Sequence, residues 1–229
     1  MTLPKDEAEH LTRVLRLGTG DTVSVFDGRG REFLARVVAA SRRDVKVELL
    51  SRVEPPPEPT VSLTLVQAVL KGDKMDDVVR DAVMLGVSAV HPVVTERSET
   101  TVAALLRGAR KERWRRVALA SVKQCGRAVL PEIRTPLSFE HYLEEPASVR
   151  FMLVEPGHPH AEPIGALRHD RVPADAAVLV GPEGGWTDTE IDAARVRGIR
   201  LLTLGPRTLR ADAVTIAAVS VLQFLWEGL

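Results

Sequence analysis

Two apolar segments near the end of this chain each lead into a glycine-containing loop and then into a helical pattern. Residues 178–180 precede the loop 181–186, and residues 202–204 precede the loop 205–210. Because glycine has no Cβ, its backbone lets a ligand approach closely. Loops at the carboxyl ends of adjacent parallel strands are where open α/β sheets bind ligands. The two loops therefore predict an α/β fold with a ligand site at one edge of its sheet.

The first loop matches neither common nucleotide-binding motif. Its G-P-E-G-G sequence lacks the G-x-G-x-x-G spacing and the Lys-Ser/Thr pair of a P-loop. Thr187 and Glu190 form a capping-box pattern, which predicts a helix over 188–197 closed by Gly198. Spacing alone also leaves open a plain strand-loop-helix connection that binds nothing.

A proline-rich stretch at residues 54–59 divides the chain, because four prolines in five positions suit neither a helix interior nor a central strand. In the preceding segment, 1–54, the pattern predicts a helix over 6–17 and three strands, with a turn at 42–44. Short strands of this number indicate a small β-barrel. The predicted strands span 22–26, 32–39 and 45–50.

In the second segment, 60–229, predicted strands and helices alternate, which indicates a parallel sheet covered on both faces. Asp73 is expected to cap the first helix of this segment, and 102–125 is mostly helical. The last helix, 213–226, is apolar nearly all round, which predicts that it is buried under its own sheet or against a partner. The predicted strands span 61–70, 89–94, 149–154, 176–180 and 201–204.

Composition narrows the class of protein. There are 31 basic and 31 acidic residues and a single cysteine, Cys125, so no internal disulfide is expected. The sequence shows neither an apolar leader nor an apolar run long enough to span a bilayer, and we expect a cytoplasmic protein without a membrane segment. His158 and His160 are the only closely spaced histidines, so no metal site is predicted.

Basic residues are concentrated around 107–127. On a helix, four of them would lie within about 80° of one another and form one stripe, unless Gly126 ends the helix before Arg127. Such a stripe is either a solvated face or a track for nucleic-acid phosphates. Its members are Arg113, Arg116, Lys123 and Arg127.

Several motifs resemble those of one known family. The sequence LVGPEGG at 179–185, followed by LGPRTLR at 204–210, resembles the C-terminal signature of the RsmE family, the ribosomal RNA small-subunit methyltransferases E of the SPOUT superfamily. Further blocks of this family are matched in order by HLTRVLRL at 10–17, VFDG at 25–28, LKGDKMD at 70–76, TERS at 95–98, and KQCGR at 123–127 with PE at 131–132.

The resemblance implies a two-domain α/β protein. Residues 1–54 would form a PUA-like RNA-binding β-barrel, and residues 60–229 a SPOUT methyltransferase domain with a C-terminal trefoil knot. Members usually carry a strand before the first helix, whereas this chain starts almost at the helix. The cofactor implied is S-adenosyl-L-methionine, and the matching cofactor-binding positions are Val180, Gly181, Glu183, Gly184, Gly185, Leu204, Gly205, Leu209 and Arg210.

The reaction implied is methyl transfer to N3 of a uridine in small-subunit (16S) ribosomal RNA. Loss of the N3 proton leaves negative charge on the flanking oxygens, and a nearby cation would stabilise it. Arg210 is the first catalytic candidate, with Asp212 as base or orienting group and Arg97 facing the substrate. The partners implied are ribosomal RNA or the assembled 30S subunit and a second copy in a homodimer. The RNA-binding candidates are Arg13, Arg16, Arg113, Arg116, Lys123 and Arg127.

Two blocks depart from the family pattern. Residues 83–86 read Val-Met-Leu-Gly where members usually have Thr-Glu-Leu-Gly, and 212–214 read Asp-Ala-Val in place of Glu-Thr-Ala. These departures keep open an RNA-binding ribosome-assembly factor of the same fold without catalysis. A knotted ribose 2′-O-methyltransferase is another alternative, although its usual Asn-x-x-Arg-Gly block is not seen.

Overall fold

The computed structural model describes residues 1–41, 44–146 and 149–228. It divides into two compact units, Met1–Pro57 with Gly126–Val129, and Glu58–Cys125 with Leu130–Leu229. The short segment 126–129 therefore clusters with the N-terminal unit although it follows a long helix of the second one. Its Ala128 carbonyl accepts a hydrogen bond from the Gly30 amide at 3.0 Å.

The N-terminal unit is a three-stranded antiparallel sheet packed against a short helix. Helix α1, Lys5–Glu9, continues into a π-helical turn, His10–Val14. Strands β1 (Thr22–Phe26), β2 (Glu32–Ala40) and β3 (Val45–Val53) pair in that order. Alternate side chains of β2 and β3 point to the helix, as period two requires. The core comprises Ala8, Leu11, Ala35, Val37, Val45 and Val47.

The first residues also pair with this sheet. The amide of Leu3 donates to the Val45 carbonyl and that of Val47 to the Met1 carbonyl, both at 2.9 Å, and Thr2 forms an antiparallel bridge with Lys46. The first residues therefore add an isolated bridge to β3, although the first regular element of the described residues is α1. Arg42 and Arg43, in the turn predicted before β3, lie outside the described residues.

The second unit is a parallel sheet with helices. In chain order its elements are β4 (Ser62–Ala68), α2 (Lys74–Met84), β5 (Ala89–Val94), α3 (Val102–Arg107), α4 (Arg110–Cys125), β6 (Glu132–Ile133), β7 (Leu137–Ser138), α5 (Phe139–Glu144), β8 (Val149–Leu153), β9 (Glu162–Pro163), a 3-10 helix (Ile164–His169), β10 (Asp175–Val180), α6 (Asp188–Val196), β11 (Arg200–Thr203) and α7 (Ala211–Leu225).

The strand order within the described residues is β6-β5-β4-β10-β8-β11-β9, with β7 also pairing with β5, and every pair is parallel. The central strands β4 and β10 are buried nearly throughout, which explains their almost unbroken apolar sequences. The prediction that the two glycine loops follow adjacent strands is wrong, because β8 lies between β10 and β11. Three loops therefore meet at this edge of the sheet.

The helices follow the predicted patterns except at the cap of α2. The capping box of Thr187 and Glu190 is present at α6. Asp73 occupies the N-cap position of α2, but its side chain accepts no hydrogen bond from the helix; the carboxylate lies 2.8 Å from Arg113 Nη2. Helix α7 buries one face, whereas Ile216 and Phe224 on another face are 39% and 73% exposed.

The described residues contain no helix with the length and apolarity that crossing a membrane requires.

Candidate functional site

A cavity of about 380 Å³ lies at the carboxyl ends of β10, β8 and β11. Its volume is within the range of roughly 300–1,000 Å³ that small-molecule sites occupy. The end of β10 and its loop provide residues 180–183, 185 and 186, and the end of β8 and its loop provide 153–156 and 158. The loop after β11 and the first turn of α7 provide 204, 207–212 and 214. Arg97, Asp188 and Ile191 complete the lining.

Most of the residues predicted to form the site lie around this cavity. Gly184 and Gly205 are the two exceptions among the cofactor candidates, since neither lines it. The predicted residues that do are Val180, Gly181, Glu183, Gly185, Leu204, Leu209, Arg210, Asp212 and Arg97.

Gly181 and Gly185 shape the loop after β10. A Cβ on Gly181 would lie 3.1 Å from Trp186 Nε1, so the absence of a side chain lets the indole fold back against the loop. That indole is buried and donates a hydrogen bond to the Leu153 carbonyl at 3.0 Å. Gly185 has φ +69°, a left-handed conformation that favours glycine. The indole bond thereby ties this loop to the end of β8.

The side chain of Arg97 occupies the space beside Gly184. A Cβ built on it would lie 3.3 Å from both Cβ and Cδ of Arg97. Arg97 Nη1 donates to the Gly184 carbonyl at 2.6 Å and to the Trp186 carbonyl at 3.2 Å. The Gly184 backbone and the Arg97 side chain are thus packed together, and this contact connects the loop after β5 with the loop after β10.

The carboxylate of Glu183 is directed to the loop between β4 and α2. It accepts hydrogen bonds from Lys74 Nζ at 2.8 Å and from the Lys71 amide at 3.2 Å. Burial by itself would raise the pKa of Glu183, but the hydrogen bond from Lys74 and those from backbone amides lower it below its ordinary value. The ionised carboxylate therefore ties the loop to the start of α2.

The loop after β11 carries exposed cations. Gly205 has φ +106°, which explains a glycine here even though a Cβ would meet nothing within 4 Å. Arg210 is 75% exposed, and its Nε lies 3.4 Å from Asp212 Oδ1. Arg207 also lines the cavity, and no ion pair to it occurs within residues 1–41, 44–146 and 149–228. The mouth of the cavity is therefore positively charged on this side.

The loop after β8 is the part of the site that sequence patterns did not predict. Its Glu155 lines the cavity, and the Oε1 atom lies 3.3 Å from where a Cβ of Gly185 would be. The signal that could have found it is the Glu-Pro-Gly sequence at 155–157, directly after a predicted strand. The chain order of the strands does not indicate this loop, because β8 precedes β10 in the sequence but lies between β10 and β11 in the sheet.

The predicted basic stripe is not one surface. Helix α4 ends at Cys125 and Gly126 has φ +78°, so Arg127 leaves the helix; it is buried and belongs to the N-terminal unit. Arg113 pairs with Asp76 and Asp73, whose carboxylates raise the pKa of its guanidinium. Arg116 and Lys123 are exposed on α4. The four residues therefore do not form one stripe, because the helix ends before Arg127.

Arg13 and Arg16 are exposed at the end of the first helical segment of the N-terminal unit. Arg16 has φ +57°, an uncommon conformation for a residue with a side chain. Among the residues that the structure describes, no three His, Cys, Asp or Glu side chains come together as metal ligands would.

Comparison with known proteins assigns the chain to a family. A family model described as an RNA methyltransferase domain matches residues 56–223, and one described as an RNA methyltransferase PUA domain matches residues 3–50. The ribosomal RNA small subunit methyltransferase E of Synechocystis is 32% identical over 100% of this chain and 74% of its own length.

Two solved structures are similar over nearly the whole chain. The ribosomal RNA small subunit methyltransferase E of Neisseria gonorrhoeae, bound to S-adenosyl methionine, has a TM-score of 0.89 and 30% identity, covering 99% of this chain and 92% of its own. A Legionella pneumophila structure in complex with the bound cofactor SAM has a TM-score of 0.88 and 31% identity, covering 98% and 91%. This chain, with its PUA-like N-terminal domain and parallel-sheet methyltransferase domain, belongs to the RsmE family of ribosomal RNA small subunit methyltransferases.

Proposed function

We propose that this protein is an S-adenosylmethionine-dependent methyltransferase that modifies N3 of a uridine in small-subunit (16S) ribosomal RNA. The observation that carries the proposal is the cavity where three loops meet, with glycine backbone on one side and Arg207 and Arg210 on another. Two comparisons also support the proposal: the chain belongs to the RsmE family, and the Neisseria relative binds S-adenosyl methionine.

The residues present fit the proposed cofactor. Val180, Gly181 and Gly185 border the cavity, the two glycines present no side chain that would block a purine, and Leu204 and Leu209 provide apolar walls. Glu155 offers a carboxylate that suits hydroxyl or ammonium groups. When bound, S-adenosylmethionine supplies an activated methyl group, so the residues of the chain need only bind, orient and stabilise charge.

Arg210 and Asp212 are the proposed catalytic residues. Uracil N3 becomes nucleophilic when its proton leaves, and the negative charge then spreads to the two flanking oxygens. Arg210 lies at the mouth of the cavity and would stabilise that charge. Asp212, 3.4 Å from Arg210 Nε, would orient the guanidinium and accept the N3 proton. We assign Arg97 a positioning role, because its Nη1 already donates to Gly184 and Trp186.

For the RNA, we propose that Arg13, Arg16, Arg116 and Lys123 contact phosphates. Their support is charge and exposure. An rRNA substrate, free or in the 30S subunit, would place the reaction in the cytoplasm.

Two further features of the RsmE resemblance belong to the same proposal. The exposed Ile216 and Phe224 on α7 would pack against a second copy in a homodimer. The C-terminal trefoil knot and the PUA-like β-barrel at 1–54 follow from the family resemblance, and the matches to the RNA methyltransferase domain and its PUA domain support that resemblance. Sedimentation at micromolar concentration tests the dimer, and a single species of monomer mass would contradict it.

The function itself is tested with purified protein and RNA from a strain that lacks the gene. S-adenosylmethionine binding is measured by calorimetry, and methyl transfer is measured on both naked 16S rRNA and 30S subunits. Digestion to nucleosides and mass spectrometry then identify the product. N3-methyluridine supports the proposal. A 2′-O-methylated nucleoside would overturn it in favour of the ribose enzyme, and RNA binding without transfer would favour an assembly factor.

A further inference from the structure

Two fully buried polar side chains lie beneath the loops of the cavity. Gln67 is near the end of the central strand β4, and Thr215 is in the second turn of α7; both are 0% exposed. Buried polar groups are costly unless their hydrogen bonds are satisfied, so a position of this kind needs a physical reason.

The Gln67 amide is satisfied on both sides. Its Nε2 donates to the Ala68 carbonyl at 3.0 Å and lies 3.5 Å from the carbonyl oxygens of both Val180 and Gly181. Its Oε1 accepts a hydrogen bond from Thr215 Oγ1 at 2.6 Å. The carbonyls on one side and the hydroxyl on the other fix the orientation of the Gln67 side-chain amide.

These hydrogen bonds join the starting points of two loops of the cavity. Val180 and Gly181 are where β10 turns into its loop, and both line the cavity. Thr215 Oγ1 also lies 3.1 Å from the Ala211 carbonyl, at the place where the loop after β11 enters α7. One amide thus links the loop after β10, through Thr215, to the helix that follows the loop after β11.

We propose that Gln67 and Thr215 are a positioning pair that holds these two loops at the separation needed to bind the cofactor. The identity of the ligand rests on the proposed function, whereas the coupling of the two loops rests on the hydrogen bonds alone. A glutamine suits the position because it presents a donor and an acceptor at once. A carboxylate would face the Val180 and Gly181 carbonyls without a proton, and a leucine could neither donate to the Ala68 carbonyl nor accept from the Thr215 hydroxyl.

The pair is tested by variants that keep its shape. Thr215→Val removes the hydroxyl with little change in volume, and Thr215→Ser keeps the hydroxyl. We expect Thr215→Val to weaken S-adenosylmethionine binding by about tenfold in calorimetry, and Thr215→Ser to stay within about threefold of wild type. Gln67→Leu should match Thr215→Val, and the double variant should lose less than the product of the two single losses.

A matched control lies on the same helix. Gln223 is also 0% exposed, and its Nε2 donates to the Leu85 carbonyl at 3.2 Å, at the end of α2. Gln223→Leu should lower the midpoint of urea unfolding and leave cofactor affinity unchanged. If Thr215 only stabilised the fold, Thr215→Val would likewise lower the midpoint of urea unfolding and leave cofactor affinity unchanged.

A second measurement does not depend on the cofactor. Hydrogen exchange of backbone amides should accelerate in both 181–186 and 211–214 in Thr215→Val and in neither for Gln223→Leu. Unchanged exchange in Thr215→Val would overturn the inference, as would equal cofactor affinities of wild type and Thr215→Val, or equal losses in Thr215→Val and Thr215→Ser. Wild-type protein that does not bind S-adenosylmethionine would instead contradict the proposed function, and the exchange data would still decide on the pair. If Gln67→Leu fails to fold, the two Thr215 variants suffice.

Discussion

Arg97 Nη1 lies 2.6 Å from the carbonyl oxygen of Gly184, and the missing side chain of Gly184 makes room for the aliphatic part of Arg97. The two residues are 87 positions apart in the chain, and their hydrogen bond holds the loop after β10 against the loop after β5. The glycine and the arginine therefore act as one unit.

A mutant cycle tests this unit. Gly184→Val should weaken S-adenosylmethionine binding because its side chain displaces Arg97 and with it the loop. Arg97→Ala alone should also weaken binding, by roughly tenfold or more, because it removes the hydrogen bonds that Nη1 donates to the Gly184 and Trp186 carbonyls. In the Arg97→Ala background the added cost of Gly184→Val should shrink, since Cγ and Cδ of Arg97 are gone and only its Cβ still lies 3.3 Å from the Cβ position of residue 184. Calorimetry on the four proteins measures the coupling, and strictly additive losses would mean that the valine occupies ligand space directly.

Gly205 is expected to matter through backbone conformation alone. Gly205→Ala imposes a side chain at φ +106° in open space, which costs about 1–3 kcal/mol of local strain. Gly198→Ala is the control, because Gly198 has φ +75°, also with open space, but follows α6 away from the cavity lining. Both variants should lose stability in urea unfolding, and only Gly205→Ala should also lose cofactor affinity. Similar affinities for the two would exclude a role for the shape of this loop.

Arg210→Ala should reduce the rate of methyl transfer far more than cofactor binding. Removing one group that stabilises transition-state charge typically costs about 10²–10³ in kcat. Single-turnover transfer to the rRNA substrate and calorimetry with S-adenosylmethionine separate the two effects. Arg207→Ala, on the same loop, controls for the loss of one positive charge. A rate within threefold of wild type in Arg210→Ala would exclude the catalytic assignment.

Arg116 and Arg113 should differ in RNA binding. Arg116→Glu should lower RNA affinity and flatten its salt dependence, by about one unit of slope for each phosphate that the protein no longer neutralises. Arg113→Gln should change the slope less, because its guanidinium is already paired with Asp73 and Asp76. Filter binding between about 50 and 200 mM salt provides the slopes. If neither slope moves, α4 presents only a solvated face.

Stability should fall in mild acid because of His91. This side chain is 2% exposed on β5, beside the Tyr142 ring and 3.6 Å from Glu145 Oε2. Burial, with Arg134 acting in the same direction and Glu145 against it, lowers the pKa of His91 below its ordinary value of 6.5. The unfolded chain therefore takes up a proton near pH 6.5 that the folded protein resists, and stability declines as the pH falls from there to the lower folded pKa.

The magnitude is at most about 1.4 kcal/mol per pH unit for one such group. Urea unfolding at several pH values between about 7.5 and 5 measures the decline. His91→Leu should flatten the curve in this range even if it lowers the overall stability. A variant curve parallel to that of wild type would assign the acid sensitivity to other groups.

Much of the local structure could be predicted from residue patterns. The bounds of β1 and β5 agree with the predicted strands, and α6 begins at the predicted capping box of Thr187 and Glu190. These features depend on neighbours a few positions apart, such as alternating or periodic apolar residues and side chains that cap a helix end. Family membership could be recognised for the same reason, since its motifs are short contiguous blocks.

The composition of the site was predicted only in part. Val180, Gly181, Leu204, Leu209 and Arg210 line the cavity as expected of loop residues. Glu155 was missed, and Arg127 was placed on a helix that ends before it. The contact between Gly184 and Arg97 was not predicted either, because nothing near Gly184 in the sequence indicates that Arg97 packs against it.

The sequence by itself determined the α/β class, the position of the proline-rich break, the two glycine loops and the family, because each is written in local pattern and spacing. Only the tertiary structure decided that β8 lies between β10 and β11, that Arg97 supports Gly184, and that Gln67 meets Thr215. The physical reason is that crossover connections leave the order of parallel strands free, so the pairing of residues far apart in the chain is set by packing of the whole sheet rather than by any local preference.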